Sequence, residues 1–183
     1  MILTMQRITL VLSFIAVAVL AGVATAFADV TTPASNLAGV KQAQERIDVS
    51  LNLKGADEFA IEANEVIKIV RSALSSSGIS TAKGDHKTPS VHVAITGEST
   101  GGGGAEFTVE LVIRARVPSP FAKDRSIEAI IWRESAAKRH IAYYDPVLHS
   151  IVEPSGTIKD RVYDAVRKVA AQLATDAKVA GSK

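Results

Sequence analysis

The chain contains no cysteine. That excludes disulfides, thiolate metal sites, thiol redox chemistry and cysteine nucleophiles. It also excludes lipid attachment at a bacterial leader, which needs a cysteine at the mature N-terminus. Aromatic residues are scarce, 5% with a single Trp, so branched aliphatic side chains must fill the core. No Asn-x-Ser/Thr sequon and no internal repeat is present. The densest basic block is Lys138-Arg139 beside His140, in a chain whose formal net charge is +2. Nucleic-acid binders concentrate basic residues on one stripe, so no nucleic-acid partner is expected. His86, His92, His140 and His149 form none of the close pairs that metal sites use, so no metal is expected, and nothing implies a cofactor.

What the chain has in abundance is concentrated at its start. Arg7 precedes an apolar run from Ile8 to Phe27, interrupted by Thr9, Ser13, Gly22 and Thr25. The run closes on Ala26-Phe27-Ala28. A charged n-region, an apolar h-region and an A-x-A pattern make a secretory signal peptide. Cleavage after Ala28 is expected, giving a periplasmic or secreted protein that begins at Asp29. The alternative is retention as an anchor, since roughly 20 apolar residues span a bilayer; membrane contact is then through the leader alone. Residues 29–44 are small and polar and include Pro33, and they read as a flexible tether.

Residues 45–177 read as a single domain, ahead of a disordered tail at 178–183. Ile47, Val49, Leu51 and Leu53 alternate with Asp48, Ser50 and Asn52, the pattern of a half-buried strand. From Glu58 to Ser76 the period becomes helical, with Phe59, Ala63, Val66, Ile67, Val70 and Leu74 on one stripe. Asp57 is the expected cap and Gly78 the expected stop. Three more alternating stretches follow, 90–96, 106–117 and 126–133. They are separated by Gly101 to Gly104 and by a loop over residues 118–125. Residues 135–154 carry no clear pattern. Thr157 is placed to cap a last helix whose stripe is Ile158, Val162, Val166, Val169 and Leu173, with Asp160 in the capping-box position. The order β-α-β-β-β-α predicts an α+β two-layer sandwich: a mostly antiparallel four-stranded sheet with both helices packed on one face.

One sheet face is then left open. Large-to-small matching sets Ala115 opposite Ile127 and Ile113 opposite Ala129 on the inner side. The same register sets Val112 opposite Ile130 and Glu110 opposite Trp132 outside. Ile95 opposite Phe107 sets His92 opposite Glu110. The expected outer row is His92, Glu110 and Trp132, with Val112 and Ile130 beside it. Such a face is either a solvated surface or a partner-binding surface, the apolar residues marking the latter.

Gly97-Glu98-Ser99-Thr100-Gly101 matches G-x-S-x-G, and Asp145 and His149 follow in the order of a hydrolase triad. A nucleophile elbow needs a strand-to-helix turn, whereas Gly102, Gly103 and a further strand follow here. The leading expectation is therefore a non-enzymatic binding or accessory module of the cell envelope. It would engage an unidentified protein or envelope component through Trp132, Ile130, Val112, Glu110 and His92. The alternative is a small extracytoplasmic serine hydrolase using Ser99, Asp145 and His149. In architecture alone, an export signal, tether and small α+β domain resemble accessory proteins of the bacterial envelope. The absent lipobox cysteine departs from their common lipoprotein form.

Overall fold

The computed structural model describes residues 34–55, 59–85, 87–101, 104–141, 143–145, 147, 149–152 and 156–182. The leader, Asp57 and His86 lie outside the described residues.

The fold is the expected α+β sandwich. Strands β1 (Gln42–Gln44) and β2 (Ile47–Lys54) precede helix α1 (Ala63–Ser76). Then come β3 (Ser80–Ala82), β4 (Ser90–Gly101), β5 (Gly104–Ser119) and β6 (Ala122–His140). A small hairpin of β7 (Tyr143–Asp145) and β8 (Ser150–Val152) leads to helix α2 (Ile158–Gly181). The main sheet has the order β2-β4-β5-β6, with β2 parallel to β4 and the other pairs antiparallel. β1 and β3 form a separate parallel pair.

The helices bury the stripes that their periodicity marks. Val66, Val70 and Leu74 of α1 and Val162, Val166 and Leu173 of α2 are fully buried. They pack with Val91, Val93 and Ile95 of β4 and Val109, Leu111 and Ile113 of β5 in one cluster. Burying each such side chain contributes roughly 1.5–3 kcal/mol. α2 starts at a full capping box: the Thr157 hydroxyl accepts from the Asp160 backbone N–H, and the Asp160 carboxylate accepts from the Thr157 backbone N–H. Those bonds from Thr157 hold the Asp160 carboxyl below the usual carboxylate range. α1 begins later than the periodicity suggests, after Glu62, because Ala60 has φ +47° and breaks the turn. Phe59 is still fully buried.

Four expectations are corrected. From residue 34 the expected tether is folded: Ala34–Leu37 is a 3-10 helix packed on α2 and β6, and Leu37 and Ala43 are buried. The expected tail belongs to α2 through Gly181, with Ala180 buried. The patternless residues 135–140 are the last third of β6, held by pairing with β5 from Ala105 to Glu110. The 118–125 loop is largely strand, and the hairpin closes at Pro120-Phe121 between Ser119 and Ala122. Beyond Arg114, which pairs with the first residue of β4, β5 and β6 run on as a two-stranded arm. Ile127 therefore stays exposed instead of facing the core, and Phe121 at the tip is 95% exposed.

Gly97 explains half of the G-x-S-x-G match by packing. A Cβ there would stand 2.9 Å from both the Glu106 carbonyl oxygen and the Phe107 Cβ, and 3.1 Å from the Phe59 ring. Only glycine leaves room for that ring. Gly97→Ala is expected to destabilise by about 1–3 kcal/mol, the usual cost of overpacking. Val166→Asp buries an unpaired carboxylate between α2 and the sheet and is expected to cost several kcal/mol, a large share of a typical 5–15 kcal/mol. Urea unfolding of each purified variant against wild type checks both; a wild-type midpoint in either would contradict this packing.

Candidate functional site: the open face of the sheet

The face away from the helices is ruled into four rows by the strand registers. From β2 through β4 and β5 to β6 they read Asp48-His92-Val112-Arg133, Ser50-Ala94-Glu110-Ser135, Asn52-Thr96-Thr108-Ala137 and Lys54-Glu98-Glu106-Arg139. Side chains two residues apart on each strand share this face. The rows differ in character. The third is short and uncharged. The fourth carries two ion pairs, Lys54 Nζ to Glu98 Oε2 at 3.1 Å and Arg139 Nε to Glu106 Oε1 at 2.9 Å. Arg133 pairs with Glu110 on the neighbouring row. In the first row, His92 Nδ1 is 3.7 Å from Asp48 Oδ2, while its Nε2 shares a 3.0 Å hydrogen bond with the Ser90 hydroxyl.

The last two rows line a shallow trough of about 630 Å³. Asn52, Thr96, Thr108 and Ala137 form its floor, and Lys54, Glu98, Glu106 and Arg139 flank it. Lys138 also lines the trough, so its border carries three cationic and two anionic side chains. The floor offers hydroxyl and amide hydrogen bonding beside one excess positive charge, and the ion pairs, being exposed, add at most about 1 kcal/mol each to stability.

The expected outer row of His92, Glu110 and Trp132 does not exist. His92 faces Val112, and Glu110 lies between Ala94 and Ser135. The β4–β5 hairpin sits two residues from the expected register, with Ile95 facing Val109; the β5–β6 hairpin sits two residues off in the arm, where Ala115 faces Ala129, and three off past the bulge, where Val112 faces Arg133. A two-residue shift keeps every side chain on its face, so His92, Glu110, Val112 and Ile130 remain outside as expected. Val112 is nevertheless buried and stands apart from the core cluster, and Ile130 is 43% exposed.

Trp132 is the larger correction. The register breaks between Ile113 and Arg114, which face Trp132 and Ile130, so Ile131 has no opposite residue. This bulge reverses the alternation of β6. Ile131 packs against the core and Trp132 is fully buried with it. The indole Nε1–H donates to Asp176 Oδ2 of α2 at 2.9 Å, and the other carboxylate oxygen accepts from Gln172 at 2.8 Å. Trp132 ties α2 to the sheet and contributes nothing to the open face. The available signal was Ile130-Ile131-Trp132 itself, three apolar residues in a row that strict alternation cannot accommodate. The expected apolar edge of the face shrinks to Ile130.

Ser99 lies within β4, opposite Ala105, and its hydroxyl donates to the Gly104 carbonyl oxygen at 3.4 Å. The chain continues into β5, not into a helix, so the turn that exposes a nucleophile is not formed. Asp145 ends β7, and His149 follows in the turn to β8 with φ +49°. Those strands pair with each other and with neither β4 nor β5. Among the described residues, no group of three or more His, Asp or Glu side chains converges as a metal site would require.

No protein-family model and no curated sequence matches the chain. The solved structures that align with much of it include two lipoproteins. A minor lipoprotein from Acinetobacter baumannii is 11% identical, with 78% of this chain and 93% of that chain covered and a TM-score of 0.33. Rare lipoprotein B from Shewanella oneidensis is 14% identical, with 71% and 89% covered and a TM-score of 0.24. At scores below 0.5 neither likeness carries an argument about what this chain does.

Proposed function

We propose that the chain is an exported, non-enzymatic accessory module of the cell envelope that binds a protein or other envelope component on the open face of its sheet. The observation that carries this reading is the division of labour between the two faces. Both helices and the core occupy one face, while the other keeps a 630 Å³ trough with a neutral hydrogen-bonding floor. A sheet with one solvated face is ordinary in antiparallel folds. What favours binding is that side chains of all four strands line a concave surface, with Lys54, Glu98, Glu106 and Arg139 already held in pairs at its border. The leader's layout supports export, and the hairpin setting of Ser99 argues against the hydrolase alternative. Four of the five border charges are paired and Lys138 adds one more, so recognition rests mainly on hydrogen bonds and shape and should weaken only modestly with salt.

Photo-crosslinking tests the reading. A photoreactive residue replaces Thr108 on the floor of the trough or Lys168 on the exposed side of α2. Irradiation of producing cells is expected to give a discrete adduct from position 108 and none from position 168. Thr108→Arg, which fills the trough, should abolish an adduct formed from position 96. Adducts from both faces alike, or from the helix side only, would contradict the proposal.

A further inference from the structure

The sheet ends in two unlike edges. β6 is broken by the bulge at Ile131, the kind of device that blunts an edge against pairing. β2 is not blunted. Its eight residues pair with β4 without a register break. It contains no proline, and among the described residues no strand lies on its outer side. An edge of this kind presents a free row of backbone N–H and C=O groups.

The side chains of β2 carry a second property. Val49 and Leu53 pack against the core, but Leu51 between them remains 39% exposed although it faces the helix side. Reading the strand in both directions from Leu51 gives matched partners at each step. Ser50 meets Asn52, both polar. Val49 meets Leu53, both apolar. Asp48 meets Lys54, opposite in charge. Antiparallel pairing about a two-fold axis through Leu51 therefore sets like beside like from residue 49 to 53 and opposite charges at 48 and 54, with Ile47 beyond them opposite Gly55. A shift of two residues in either direction loses the Asp48–Lys54 match, and a shift of one puts polar residues on the helix side.

We propose that two copies of this chain pair through their β2 edges, antiparallel and centred on Leu51, joining their sheets into one of eight strands. Leu51 of each copy covers the other. Lys54 sits between Glu98 of its own chain, 3.1 Å away, and Asp48 of the second copy, whose Oδ1 already accepts from Arg46 of that copy at 2.8 Å. Both sets of helices lie on the same side, so the open faces run on into each other and Asn52 of one trough adjoins Ser50 of the next copy. The contact is a single strand pair, smaller than the roughly 1,200–2,000 Å² of standard stable complexes. A dissociation constant in the micromolar range is expected.

Sedimentation equilibrium of the full chain tests this across concentrations up to about 100 μM, a range that spans micromolar affinities. Wild type should be a reversible dimer. Asp48→Lys and Lys54→Asp each turn two attractions into two repulsions, and each should weaken association about tenfold or more. An equimolar mixture of the two variants restores opposite charges at both ends and should dimerise again. Leu51→Ala, which leaves the charges alone, should also weaken the dimer and decides the matter if a charge variant unfolds on its own. A wild type that stays monomeric, or association that survives the single substitutions, would overturn the proposal. So would a mixture no tighter than its components.

Discussion

Ile131 has no partner on the neighbouring strand, and that extra residue turns Trp132 from the open face into the core. The rest of the arrangement depends on this inversion. A buried indole needs an acceptor for its N–H, and Asp176 supplies one from the last turns of α2. Helix α2 is thereby pinned to the edge strand of the sheet, with Leu37 of the 3-10 segment buried in the same core. Without the bulge, the register of the arm would set Trp132 opposite Val112 on the open face, and α2 would lose this polar anchor on β6.

The same inversion decides the chemistry of the open face. With Trp132 withdrawn, the rows between β2 and β6 carry, apart from His92 and Val112, only Ser, Thr, Asn, Ala and charged side chains. Small side chains over four strands leave a concave surface instead of an apolar patch. A partner there meets hydroxyls and amides before charges. That is a different kind of surface from one centred on an exposed tryptophan, and it makes hydrogen bonding and shape the basis of recognition.

The fold class was legible because alternation and helical periodicity report faces directly: Val91, Val93 and Ile95 inward, and Val162, Val166 and Leu173 inward. Registers were not legible, because a two-residue shift moves partners without moving faces. Large-to-small matching misled at Ala115, which pairs with Ala129 in the uncovered arm, where no core rewards volume matching. The final third of β6 was hidden by its composition. Ser135-Ala136-Ala137-Lys138-Arg139-His140 has weak strand propensity, and only pairing with β5 makes it a strand. The folding of residues 34–44 rests on two buried side chains, Leu37 and Ala43, too few to show as a period. Of the candidate site, the face of His92, Glu110, Val112 and Ile130 was legible from the sequence. Their neighbours were not, nor was the trough, whose residues lie at matching positions on four separate strands.

Because the chain has one tryptophan, its fluorescence reports this central contact without interference. With Trp132 buried against α2, the native protein is expected to emit at short wavelength and resist quenching by acrylamide. Asp176→Ala, which removes the acceptor of the indole N–H, should cost about 1–3 kcal/mol, the penalty of a buried unpaired donor. Native emission at the wavelength of the urea-unfolded chain, with the same access to acrylamide, would place Trp132 on the open face and contradict the account.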